Sequence, residues 1–339
     1  MNFTVVICAA VSFIVCAVSG FIIVPYLHKL KFGQTILDIG PNWHKSKQGT
    51  PTMGGIMIIL GFIVSLALSI SYSLMTKQGL SSEFKNSQYV TTFFAGVGLA
   101  LGMAFIGFCD DYIKVVKKRN LGLTAKQKTF LQFLVAACYL VTLAVGGMST
   151  TYIPFVGDIN ITSGFGLLFW PVALMFIYGF SNAVNLTDGI DGLATTVTMV
   201  VSCAFMLISI LLNKSASSVY AAAVAGACMG FVLWNAKPAK VFMGDTGSLF
   251  LGGSVIAMSF SINRPILLIA AGIVYLLEAL SVIIQVTYYK KTKKRIFKMS
   301  PIHHHFEMCG WSENKIVIVF SFVALIGCFI AALPVILNF

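Results

Sequence analysis

Charge is scarce in this chain. Only 10% of its 339 residues are Asp, Glu, Lys or Arg, against about 25% in an ordinary soluble domain. No polar stretch is long enough to build a second, water-facing unit. With 58% hydrophobic residues and a mean hydropathy of +0.91, residues 1–339 read as a single all-α polytopic membrane domain. Acidic residues are the scarcer sign, 11 against 23 basic ones, for a net charge of +12. In a membrane protein that excess reports cytoplasmic loops and anionic membrane lipids, and no nucleic acid is expected. The eight cysteines (Cys8, Cys16, Cys109, Cys138, Cys203, Cys228, Cys309, Cys328) are scattered and form no CxxC. That excludes a disulfide framework and a thiolate zinc site. No basic segment precedes the first apolar run, so residues 3–27 read as a retained span and not a cleaved signal. Inverted repeats of the transporter kind and low-complexity segments are also absent.

What is present is a series of apolar runs near 3–27, 53–75, 89–109, 129–148, 166–184, 193–212, 217–234, 248–262, 265–289 and 316–337. About 20 residues cross the hydrocarbon, so these predict ten transmembrane helices. The run at 248–262 is short and must be tilted or partly interfacial. Pro171, inside the fifth run, predicts a kink. The segment 149–164 predicts a small β-hairpin near 151–162, with Val156-Gly157-Asp158 at its turn.

The loops sort by charge. Of the 23 cations, all but Lys77, Lys85, Lys214 and Arg264 fall in the alternate set 28–52, 110–128, 185–192, 235–247 and 290–315. The positive-inside rule places that set in the cytoplasm and both termini outside. The same set carries Asp110, Asp111, Asp188, Asp191, Asp245, His303, His304 and His305. Without a functional constraint these residues would scatter between the two faces.

Each of the five loops carries a polar motif. Lys45 to Gly55 offers Lys47, hydroxyls and glycines to a phosphate, or starts a helix with Thr50 as cap and Pro51 in its first turn. Asp110 and Asp111 are adjacent carboxylates after an apolar run. Such a pair is costly unless a divalent cation or a transferring proton uses it, or unless it lies in a solvated loop. Lysines follow them, and Lys114 and Lys118 would stack on one face of a helical extension. Carboxylates for a metal beside lysines for phosphate is the pattern of phosphoryl transfer.

Asp188 and Asp191 are three residues apart, so a helical turn would place them on one face, for a metal or a polar substrate; an Asx-capped turn is the alternative. Asp245 opens the eighth run, either as a functional carboxylate or as an N-cap, and Phe242 is either a base-stacking ring or an interfacial anchor. Residues 290–295 suggest a basic interfacial helix. Three consecutive histidines, His303 to His305, cannot all face one way in a helix and so predict a loop; contact with phosphate fits them better than a zinc site, for which Glu307 is the sole nearby acidic partner. Glu278, mid-way along the ninth run with Ser281 and Gln285, reads as a helix–helix hydrogen bond.

Five motifs in order, Gly-Thr-Pro-Thr-Met-Gly-Gly (49–55), Asp-Asp-Tyr (110–112), Asn-Leu-Thr-Asp-Gly-Ile-Asp-Gly (185–192), Val-Phe-Met-Gly-Asp-Thr-Gly-Ser (241–248) and Pro-Ile-His-His-His-Phe-Glu (301–307), closely resemble the bacterial phospho-N-acetylmuramoyl-pentapeptide transferases. These belong to the polyprenyl-phosphate N-acetylhexosamine-1-phosphate transferases. The resemblance spans nearly the whole chain, with no departure at the motif positions.

It implies transfer of phospho-MurNAc-pentapeptide from UDP-MurNAc-pentapeptide to undecaprenyl phosphate, giving lipid I and UMP in peptidoglycan synthesis. It implies Mg²⁺, ten transmembrane helices, a cytoplasmic-face site in the bacterial plasma membrane and a homodimer. Asp110, Asp111 and Asp245 would be the essential carboxylates, with Asp245 on the metal and Lys114 and Lys128 on phosphates. Asn185, Asp188, Asp191, Asn235 and Phe242 would line the nucleotide pocket, Lys47 and Thr52 would lie near it, and His303, His304 and His305 would serve the substrate.

Overall fold

The computed structural model describes residues 3–30, 49–77, 79–116 and 121–337. Its helices in chain order are α1 Phe3–Lys29, α2 Gly55–Thr76, α3 Leu80–Glu83, α4 Ser87–Val116 and α5 Ala125–Val145, then α6 Phe169–Thr187, α7 Leu193–Leu211, α8 Ser215–Asn235 and α9 Gly244–Ser261, then α10 Leu267–Ala271, α11 Ile273–Thr292, α12 Ile302–Met308 and α13 Glu313–Ile336. Among the described residues nine are long and apolar enough to cross a membrane: α1, α2, α4, α5, α6, α7, α8, α11 and α13.

The helix that the sequence offered as a short eighth span is α9, and it lies at the centre. Every residue from Thr246 to Phe260 is buried. Its composition is Gly- and Ser-rich, which suits a helix surrounded by protein: small side chains let neighbouring backbones approach. A methyl group on Gly55 or Gly247 would meet the backbone of the other. One on Gly107 of α4 would meet the Asp245 carbonyl. So α4 is pressed against the start of α9, within one turn of Asp110 and Asp111.

Several expectations are corrected. Helix α4 runs through Asp110 and Asp111 to Val116, so the two carboxylates are helical and not in a loop. Lys114 at i+4 and i+3 gives them intrahelical partners. The run 265–289 breaks at Gly272, where a side chain would strike the Phe180 ring and the Leu268 carbonyl. Pro171 sits in the first turn of α6, where no intrahelical N–H is needed, so the usual cause of a proline kink is missing there. Helix α2 begins at Gly55, after the Thr50-Pro51 pair. The basic segment is the end of α11, closed by Lys293 at φ 59°, with no separate interfacial helix. The histidines lie on α12, not in a loop. Asp188 and Asp191 occupy the turn between α6 and α7, not a helical turn.

The hairpin is present as β1 Thr150–Ile153 and β2 Gly157–Asn160, antiparallel, with Ile153 opposite Gly157. Its turn is therefore residues 154–156, earlier than the spacing suggested.

Candidate active site

The site is assembled at the start of α9. The first N–H groups of a helix have no intrahelical partner, and here a carboxylate from another helix supplies one. Asp111 Oδ1 accepts from Asp245 N at 3.2 Å, and Oδ2 accepts from Thr246 N and Thr246 Oγ1 at 2.8 and 2.7 Å. A negative group at a helix N-terminus is also favoured by the helix dipole. Asp111 thus docks α4 onto α9 and fixes where Asp245 points.

Asp245 then gathers the rest. Lys114 Nζ and Lys128 Nζ each lie 3.0 Å from its Oδ2. Asn185 Nδ2 donates to its Oδ1 at 2.8 Å and to Ser248 Oγ at 2.7 Å. Lys128 is placed one turn into α5 by a capping box, Thr124 with Gln127. Asp110 pairs with Lys114 at 2.5 Å and accepts from Leu123 N at 2.8 Å. Oxygen atoms of Asp110, Asp111 and Asp245 all lie within 4.8 Å of one another. Burying three carboxylates so close is costly without cations, and the two lysines supply part of that neutralisation.

Around this centre the backbone is stitched. Phe242 N donates to Pro51 O at 2.8 Å, and Gly54 N donates to Phe242 O at 2.9 Å. That bridge brings Thr52 to the site, where a side chain on Gly244 would meet both Thr52 Oγ1 and Asp111 Oδ2. Asp188, just beyond α6, is half-buried; burial first, then the charges of Asp245, Asp111 and Asp191, push its carboxyl up to about 8. Asp191 Oδ2 accepts from Ala239 N at 3.0 Å. Asn235 is buried and ties three segments together, accepting from Gly192 N and Thr195 Oγ1 and donating to Val241 O.

The structure therefore brings Asp110, Asp111, Lys114, Lys128, Asn185 and Asp245 into direct contact, with Thr52 and Phe242 adjoining. The α12 histidines diverge. His303 is fully buried with Nδ1 3.0 Å from Glu278 Oε2, so Glu278 makes the helix–helix hydrogen bond that the sequence suggested. His304 Nδ1 is 2.6 Å from Glu307, and His305 Nδ1 accepts from Lys298 N. Lys47 and Lys118 lie outside the described residues.

One participant escaped sequence reasoning. Glu313, in the first turn of α13, is buried, pairs with Lys237 at 3.0 Å and accepts from Asp191 N at 3.3 Å. An acid in a first turn after a Ser cap reads as an ordinary helix start, so nothing local marked it.

Residues 93–263 match the family model "Glycosyl transferase family 4", and residues 47–59 match "Phospho-N-acetylmuramoyl-pentapeptide-transferase signature 1". The chain is 44% identical over 329 residues to a phospho-N-acetylmuramoyl-pentapeptide-transferase of Clostridium perfringens (strain 13 / Type A), covering 96% of this chain and 97% of that one. It is also 44% identical over 313 residues to the enzyme of that name from Bacillus thuringiensis (strain Al Hakam), covering 92% of each chain. The chain belongs to the phospho-N-acetylmuramoyl-pentapeptide-transferase family.

Proposed function

We infer that this protein transfers phospho-MurNAc-pentapeptide from UDP-MurNAc-pentapeptide to undecaprenyl phosphate, forming lipid I and releasing UMP, with Mg²⁺ held by Asp110, Asp111 and Asp245. The observation that carries the reading is the oxygen cluster itself, three carboxylates within 4.8 Å beside Lys114 and Lys128. The donor set is all oxygen, without a thiol or an imidazole, which fits a hard divalent ion. When bound, the ion would withdraw negative charge from the diphosphate undergoing exchange.

The chain's own groups do the remainder. In the proposed direct route, an oxygen of the lipid phosphate bonds to the sugar-linked phosphorus, and the bond from that phosphorus to the bridging oxygen breaks. UMP leaves with that oxygen. One phosphate linkage replaces another, so the task is alignment and charge neutralisation. Lys114 and Lys128, both on Asp245 Oδ2, are placed to follow phosphate oxygens. Asp111, besides offering an oxygen to the ion, accepts three donors and so holds the start of α9 in place. Asp110 Oδ2 then takes any proton on the lipid phosphate. Asn185 orients Asp245, Asp188 and Asp191 face the nucleotide on their loop beside Phe242, and His304 and His305 meet the pentapeptide-bearing substrate.

The site belongs at the cytoplasmic face, because the positive-inside rule assigns the cation-rich loops, which carry Asp110, Asp111 and Asp245, to that side. Helix α9 supplies a tenth crossing: its 18 residues span about 27 Å, and its modest apolarity is tolerated because protein shields it from lipid. Both termini then lie outside, the chain is one membrane domain, and it pairs as a homodimer. The test is an assay of purified protein with undecaprenyl phosphate and Mg²⁺. UMP and lipid I should form in equal amounts from UDP-MurNAc-pentapeptide and not from UDP-GlcNAc; consumption of UDP-GlcNAc alone would overturn the reading.

A further inference from the structure

Glu278 and His303 are both fully buried, on α11 and α12. His303 Nδ1 lies 3.0 Å from Glu278 Oε2, and the His303 amide is 3.4 Å from the same oxygen. The remaining polar atoms of the pair, Glu278 Oε1 and His303 Nε2, have no hydrogen-bond partner among the described residues. A buried carboxylate left half-satisfied is costly, so packing alone is a poor reason to place one there. The free edge of the imidazole is directed at a particular spot: a methyl group on Gly189 would fall on His303 Nε2 and Cε1. Gly189 lies in the turn between α6 and α7, next to Asp188. Its φ lies outside the left-handed region, so its backbone accepts alanine. What excludes a side chain there is the ring.

We propose that Glu278 is a positioning residue: through His303 it seats the Asp188–Asp191 turn against the carboxylate centre. The carboxylate holds the proton on Nδ1 and fixes the ring plane, as an outer partner does for a liganding histidine. The bare Nε2 edge then forms the floor on which Gly189 rests. Neither residue meets the transferring phosphate. The inference rests on the transferase reading for its kinetic readout only.

The experiment compares Glu278→Gln, Glu278→Met and Gly189→Ala in purified full-length protein, by lipid I formation and by hydrogen exchange over residues 187–193. The glutamine oxygen still accepts from Nδ1, so E278Q should keep kcat/KM within about threefold of wild type and keep exchange protection. E278M matches the volume and loses the acceptor. Its kcat/KM should fall at least tenfold, with exchange at 187–193 accelerated and that of α8 unchanged. G189A, a change outside the buried pair, should reproduce the kinetic loss even if E278M does not fold. Wild-type turnover and protection in G189A, or in a folded E278M, would overturn the proposal. Loss of protection without any activity in wild type would instead indict the transferase reading and leave this one standing.

Discussion

Lys128 and Asp245 are 117 residues apart in the chain and meet at 3.0 Å. That single contact joins the start of α5 to the start of α9, and Lys114 of α4 reaches the same oxygen. Two ammonium groups on one carboxylate oxygen form a cationic lip at the edge of an anionic centre, the electrostatic arrangement that an exchange between phosphates requires.

Lys128→Ala removes one of those ammonium groups and leaves Asp245 with Lys114. A hydrogen bond to a charged group contributes about 1.5–3 kcal/mol, so kcat should fall about 10- to 100-fold. Lys128→Arg should recover only part of the loss, since a planar fork does not replace a point charge. Initial rates of UMP release check both.

Thr246→Val is nearly isosteric and deletes the hydroxyl that donates to Asp111 Oδ2 at 2.7 Å. Leaving a buried acceptor short of a partner costs about 1–3 kcal/mol. The variant should denature at a lower temperature in detergent and turn over more slowly. Thr246→Ser, which keeps the donor, should be close to wild type.

Asn185→Asp replaces the amide that donates to Asp245 Oδ1 at 2.8 Å with a second acceptor. A repelling carboxylate in a low-dielectric site should cost more activity than Asn185→Ala, and extra Mg²⁺ should rescue part of it. Titrating Mg²⁺ against rate for both variants measures the difference.

The Asp188 carboxyl, raised to about 8 by burial and by the charges of Asp245, Asp111 and Asp191, is largely protonated at neutral pH. A divalent cation on Asp111 and Asp245 cancels two of the charges that raise it. Cation binding should therefore release a proton below pH 8, and apparent Mg²⁺ affinity should rise with pH from about 6 to 8 before levelling. Asp188→Asn should flatten that slope; an unchanged slope would remove Asp188 from the coupling.

Much of this was legible in the residues. Adjacent carboxylates after an apolar run, a lysine three and four residues on, and glycines around Asp245 all announced a polar centre at a membrane edge. The apolar runs located the helices, because lipid imposes length and hydropathy. What stayed hidden was set by protein–protein packing. The continuation of α4 through Asp110 and Asp111 depends on donors from Thr246, 135 residues away, which no local pattern reveals. The break at Gly272 answers to the Phe180 ring. Three consecutive histidines cannot share one helix face, yet here they use separate faces: His303 inward to Glu278, and His305 against Lys298. Glu313 was invisible for the same reason, its target Asp191 lying 122 residues earlier.

The most direct measurement is UMP release by Asp245→Asn, with folding followed by thermal denaturation in the same detergent. Asp245 is the group on which Asn185, Lys114 and Lys128 converge. Its amide variant should fold with a wild-type transition and lose about 10²- to 10³-fold in rate, as expected when a preorganised charge is removed from such a site. A folded variant turning over within tenfold of wild type would contradict the assignment of Asp245 to the reaction.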